Sequence, residues 1–157
     1  MKAQRVYIDT SVLGGCFDPE FAPWSNGLMK DFRLGNFIPV ISRIVALEVV
    51  DAPAEVRDIY AELLTLEHEF LDITRKATDL ADLYQKRGIL SPKYYNDGLH
   101  IALATLAEVD VLVSWNFRHI VHFDKIRLFN KVNAKQGYTP LSIYSPREVS
   151  NYGEESI

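Results

Sequence analysis

Short runs of β-branched and aromatic residues alternate along this chain with longer segments of helical periodicity. The runs are Arg5 to Ile8, Phe37 to Ile41, Phe70 to Ile73, Val111 to Ser114 and Leu141 to Tyr144. No Asn-Gly or similar tight turn joins any two of them, so neighbouring strands must be linked by helical crossovers. The pattern predicts an α/β fold: a three-layer sandwich around a central, mostly parallel sheet of about five strands. In such sheets the functional crevice lies beyond the carboxyl ends of the strands.

The connecting segments carry ordinary helix signals. Residues 14–27 hold Gly14, Gly15, Pro19, Pro23 and Gly27 and read as a loop, followed by a short helix from Leu28 to Leu34. Ser42 is placed to cap a helix from Arg43 to about Val50. Pro53 suits the first turn of the next, which runs to about Leu66. Thr74 caps a helix that Gly88 ends. Asn96 reads as the cap of the most apolar helix, Asp97 to Ala107, and helical pattern returns from about Phe117 to Lys135. Ser145-Pro146-Arg147-Glu148 opens a short terminal helix. A length of 157 residues fits one domain, 1–150, with 151–157 as a short polar tail.

Composition excludes several classes. Hydrophobic residues make up 48% and aromatics 11%, which rules out global disorder. Cys16 is the only cysteine, so there is no disulfide scaffold. No stretch reaches the roughly 18 apolar residues of a membrane span, and the N-terminus lacks a signal-peptide core. The expectation is a cytoplasmic protein with no membrane partner. Seventeen Lys and Arg against 21 Asp and Glu give a net charge of −4, which supplies no global footprint for nucleic acid.

Four polar residues stand where chemistry is expected. Asp9 follows the first strand directly and is either a turn residue or a site acid at the sheet edge. Glu48 interrupts the apolar run Ile44-Val45-Ala46-Leu47-Glu48-Val49-Val50 and reads as a site acid more readily than as a surface position. Asp97 opens a helix, where the dipole alone could explain it. Asn116 follows the strand Val111-Leu112-Val113 and shares the sheet edge with Asp9. His100 lies one helical turn beyond Asp97 and reads as a core or supporting histidine rather than a metal ligand. Together these place oxygen donors after two strands and at two helices, the arrangement that hard divalent cations use.

At these residues the chain resembles the PIN domain family of small metal-dependent nucleases, and within it the toxin-type members of the VapC kind. The matching stretches are Val-Tyr-Ile-Asp9-Thr10-Ser11-Val-Leu, Ser42 with Glu48, Asp97-Gly98-Leu99-His100-Ile101-Ala102-Leu103-Ala104, and Leu112-Val113-Ser114-Trp115-Asn116. The resemblance spans roughly residues 5–148. It implies that Asp9, Glu48 and Asp97 bind Mg²⁺ or Mn²⁺. It also implies that Thr10, Ser11 and Ser114 donate hydrogen bonds to carboxylates, and that Asn116 stands where the family often has a fourth acid.

The implied activity is divalent-metal-dependent hydrolysis of RNA phosphodiester bonds, in the toxin of a toxin–antitoxin pair. The alternative is a catalytically weak PIN-like module that binds RNA or protein. Implied partners are RNA, an antitoxin protein and a second copy of the chain. Arg118 and His119, with His122, Lys125 and Arg127, form a local basic cluster for RNA contact, and Arg43, Lys93 and Tyr94 are weaker candidates. Phe17, Phe21 and Trp24 either mark an interface or cover the core. A haloacid-dehalogenase-like phosphatase is excluded, because it needs an Asp at the position of Ser11.

Overall fold

All five apolar runs form strands in the computed structural model, which describes residues 2–150. They are β1 (Gln4–Ile8), β2 (Phe37–Ser42), β3 (Glu69–Leu71), β4 (Val111–Val113) and β5 (Ile143–Tyr144). The sheet order is β3-β2-β1-β4-β5, and every pairing is parallel. The chain builds outward from β1 on one side, then crosses to build outward on the other. The direction of winding therefore reverses between β1 and β4, where α/β sheets open a crevice.

Alternation along the strands creates two cores. Val40, Tyr7, Leu112 and Ile143 lie in register across the sheet and are buried on one face. That face packs under α5 (Arg75–Lys86), α6 (Tyr95–Leu106) and α7 (Phe123–Lys135), which contribute Leu80, Tyr84, Ile101, Leu103 and Phe129. Val6, Ile8, Ile41 and Val113 face the other way. They meet Leu13, Met29, Phe32, Val45 and Leu63 from α1 (Thr10–Gly15), α2 (Ala22–Arg33), α3 (Arg43–Val49) and α4 (Ala54–Thr65). Strands buried on both faces explain their near-continuous apolar sequence. The three-layer expectation is met. No helix among the described residues is long and apolar enough to cross a membrane.

Several local readings shift, each for a physical reason. Residues 14–27 are not one loop: α1 runs to Gly15, and α2 begins at Ala22 with Pro23 in its first turn. Burial of Ser25, Leu28, Met29 and Phe32 on α2 outweighs the roughly 1 kcal/mol cost of Gly27 inside a helix. Asn96 does not cap α6. A 3₁₀ turn, Pro92–Tyr94, runs straight into the helix and moves its start to Tyr95. Helix does not resume at Phe117, because Asn116 holds the next residues in a turn. Its side-chain oxygen accepts from His119 N (2.9 Å), and its carbonyl accepts from Ile120 N and Val121 N.

Other signals hold as read. Thr74 Oγ1 accepts from Ala77 N at the start of α5, and Gly88 follows its end with φ +72°. The terminal helix α8 (Pro146–Val149) is capped by Ser145, whose hydroxyl accepts from Arg147 N while Glu148 accepts from Ser145 N. The expected tail, 151–157, lies outside the described residues.

Two glycines separate tight packing from spare room. A Cβ on Gly15 meets Ser25 Oγ at 2.5 Å and the Trp115 ring at 2.5 and 2.8 Å. A Cβ on Gly98 meets only ordinary contacts, Tyr84 at 3.5 Å and Leu90 at 3.6 Å. Urea denaturation is expected to show Gly15→Ala destabilised by about 1–3 kcal/mol, since the indole ring cannot yield. Gly98→Ala, inside α6, should gain about 0.5–1 kcal/mol from helix propensity.

Candidate active site

The register of β1 and β4 builds the centre of the site. Ile8 pairs with Val113, so the next residues, Asp9 and Ser114, leave the sheet side by side. Asp9 is only 5% exposed, and both its carboxylate oxygens accept hydroxyls. Ser11 Oγ donates to Oδ1 and Ser114 Oγ donates to Oδ2, each at 2.6 Å. Each serine oxygen in turn accepts a main-chain N–H from the turn after β4: Trp115 N to Ser11 and Asn116 N to Ser114, both 2.9 Å. Those N–H donors fill the serine lone pairs and turn both hydroxyl protons toward Asp9.

Glu48 stands on α3 with its side chain 39% exposed. Its Oε1 accepts from Thr10 Oγ1 at 2.9 Å and lies 3.2 Å from His100 Nε2. His100 is 2% exposed, and its Nδ1 sits 2.6 Å from the Tyr7 hydroxyl, which donates to Ser42 Oγ at 2.8 Å. A line of polar groups thus runs Ser42–Tyr7–His100–Glu48–Thr10, through the sheet face that carries α6. The His100–Glu48 contact requires a proton on Nε2.

Asp97 lies in the first turn of α6, part-buried. The Asn116 side chain favours its charged form. Asn116 Oδ1 accepts from His119 N at 2.9 Å, which leaves that oxygen a second lone pair.

Electrostatics link the three acids. Burial raises the Asp9 carboxyl above the ordinary carboxylate range, and the Glu48 charge adds to this. The nearby His100 ring and the two serine hydroxyls oppose it. Asp97 is raised by burial and by the charges of Asp9 and Glu48, against His100 and Asn116. Burial also pushes Glu48 up, but its bond to His100, the nearness of that ring and the Thr10 hydroxyl outweigh that and leave it lowered. Burial holds the Tyr7 phenol well above its usual value, so it stays protonated.

Three hard oxygen acids, of which Glu48 raises the proton affinity of Asp9 and both raise that of Asp97, are chemically suited to a divalent cation. The spacing is not that of a closed ligand cage. Among the described residues, no three His, Cys, Asp or Glu side chains converge as a metal-binding group.

Every acid and hydroxyl singled out in the sequence reaches this one edge of the sheet. Arg118 is exposed, whereas His119 is 9% exposed, with its ring against Tyr94 (centroids 3.9 Å). Burial, and the charges of Arg118, Lys125 and His122, all disfavour protonation of His119. Arg43 is paired with Asp72 at 3.2 Å and lies over Phe70. Phe21 stacks on Trp115 at 4.1 Å and Trp24 packs against its edge at 6.4 Å, while Phe17 stays 42% exposed. Tyr7 and Ser42 were not singled out as members of the network. The signal for Tyr7 was available: it is two residues before Asp9 in a strand and so points to the same side.

Loss of the Asp9 charge has a signed pH dependence. A carboxyl whose folded-state pKa is raised contributes its full stability below the unfolded-state value, and loses it as pH rises through the folded-state value. Thermal melts of metal-free protein should therefore show Asp9→Asn gaining on the wild type from about pH 4 toward neutrality. A pH-independent difference would mean that Asp9 carries no unfavourable buried charge.

No protein-family model and no curated protein sequence matches the chain. Solved structures do. VapBC2 from Rickettsia felis, bound to a DNA fragment from its promoter, contains a chain similar at TM-score 0.55 and 17% identity, over 90% of this chain and 98% of that one. A toxin–antitoxin complex from Klebsiella pneumoniae contains one similar at TM-score 0.53 and 16% identity, over 73% and 88% respectively. At these identities the likeness is one of fold, and the fold is the PIN-like α/β sandwich that the sequence leads one to expect.

Proposed function

We propose that this protein is a divalent-metal-dependent endoribonuclease, the toxin of a toxin–antitoxin pair. One observation carries the reading: Asp9 is buried at the β1–β4 crevice with both oxygens fixed by hydroxyls, and two further acids lie within electrostatic reach. A structural turn residue needs none of that apparatus. Asp9, Glu48 and Asp97 would hold Mg²⁺ or Mn²⁺, which supplies charge neutralisation and the acidity that activates water against a phosphodiester.

The protein's own groups have defined tasks. Ser11 and Ser114 orient Asp9. Thr10 and His100 both engage Glu48 Oε1 and leave Oε2 without a protein donor among the described residues. The Asn116 side chain favours the charged form of Asp97. A covalent route through Cys16 is unsuited, because burial pushes that thiol up to about 11 and it stays protonated at neutral pH. RNA is the proposed substrate. An antitoxin protein, by likeness to the neighbours' complexes, and a second copy of the chain are the proposed partners.

The second reading, a weak PIN-like binding module, is favoured by Asn116 in place of a fourth acid and by the open spacing of the three acids. Calorimetric titration of Mn²⁺ into metal-stripped protein separates the two. Saturable binding is expected for the wild type and should be lost in Asp9→Asn and Asp97→Asn. At a hundred times its Kd, the ion should raise wild-type stability alone by about 2.7 kcal/mol. A folded wild type that takes up no ion would hand the lead to the binding module.

A further inference from the structure

Lys93 and Arg118 come from segments far apart in sequence and converge on one aromatic ring. Lys93 Nζ lies 5.7 Å from the Tyr94 ring centroid and Arg118 Cζ lies 5.9 Å from it. Both distances are within cation–π range. Both cations are exposed, and neither is paired with a carboxylate among the described residues. This sets them apart from Arg5, Arg33, Arg43 and Arg127, which are bound to Glu69, Glu62, Asp72 and Asp124. Two like charges gathered without a counter-ion repel each other, an arrangement suited to an anion.

The pair lies near the acids along the chain. Tyr94 immediately precedes α6, and Asp97 lies in the first turn of that helix. Arg118 is two residues beyond Asn116, whose main-chain N–H donates to the Ser114 hydroxyl that holds Asp9. The ring beneath is fixed, since Tyr94 packs on buried His119. A protein of net charge −4 with three acids in its crevice repels a polyanion unless local cations offset them.

We propose that Lys93 and Arg118, held by Tyr94, bind a backbone phosphate of single-stranded RNA next to the bond presented to Asp9, Glu48 and Asp97. This rests on the ribonuclease reading and names a substrate-binding subsite for it. Tyr94 is a positioning residue. The two cations set affinity and leave metal binding to the acids.

The test is fluorescence anisotropy of a labelled 12-nucleotide oligouridylate with metal-free full-length protein, over a range of salt. The variants are Lys93→Gln with Arg118→Gln, Tyr94→Ala, Tyr94→Phe and, as a control of equal charge type, Arg57→Gln on α4. A single strand gives a salt slope of about 0.7 per phosphate contact, so loss of this one contact in the double variant should lower the slope by about 0.7. Its affinity at 0.1 M salt should fall on the order of tenfold. Tyr94→Ala should weaken binding and Tyr94→Phe restore it, with Arg57→Gln like the wild type and Mn²⁺ affinity unchanged throughout.

Equal slope and affinity in wild type and double variant would overturn the subsite. So would a wild type that ignores the RNA but binds polyglutamate through the same two residues, which would assign the pair to an acidic protein partner. Failure of the nuclease reading looks different: the RNA still binds through Lys93 and Arg118, but the folded protein takes up no Mn²⁺ and cuts nothing.

Discussion

A single carboxylate organises this molecule. Asp9 sits where β1 and β4 end side by side, and burying its charge is tolerable only because neighbours answer it at once. Two serine hydroxyls take its two oxygens, and each hydroxyl is oriented by a main-chain N–H of the turn after β4. That arrangement ties α1 to the turn at Ser114–Asn116, and so fixes the two halves of the sheet at the point where the winding direction changes. An ionised carboxylate left alone in such a place would cost several kcal/mol, so the site and the sheet junction are one structural problem with one solution.

The same charge explains the polar line behind it. His100 is the buried imidazole beside the acids. It touches Glu48 with one nitrogen and the Tyr7 hydroxyl with the other, deep between the sheet and α6. It lowers the proton affinity of all three acids at once. A basic side chain on the surface could not do this, because solvent would screen it. Thr10 and His100 both meet Glu48 Oε1, and Oε2 has no hydrogen-bond donor among the described residues.

Packing around the crevice is as constrained as its charge. Trp115 is buried under Phe21 and donates from its indole to Ser25, against the bare face of Gly15. The aromatic residues of 17–24 thus seal the flank of the site with their own chain, apart from Phe17. On the other flank, Tyr94 and His119 pack together beside Lys93 and Arg118, which have no carboxylate partner among the described residues.

The sequence alone determined the strands and their parallel arrangement, because apolar runs buried on both faces and linked by long crossovers admit little else. It also determined the acids, since Asp9 at a strand end and Glu48 inside an apolar run conflict with their surroundings, and such conflicts are local. The serine donors came with the family resemblance carried by the stretches around Asp9 and Ser114. Tertiary structure decided what depended on distant partners. Burial of one face made α2 a helix through Pro23 and Gly27, and the turn at Asn116 delayed α7 to Phe123. It also put His100 against Glu48, 52 residues away, and drew Lys93 to Arg118 across one tyrosine ring. Periodicity reports what a residue's own element does with it. Which charge meets which across the sheet edge is set only when the strands take their order.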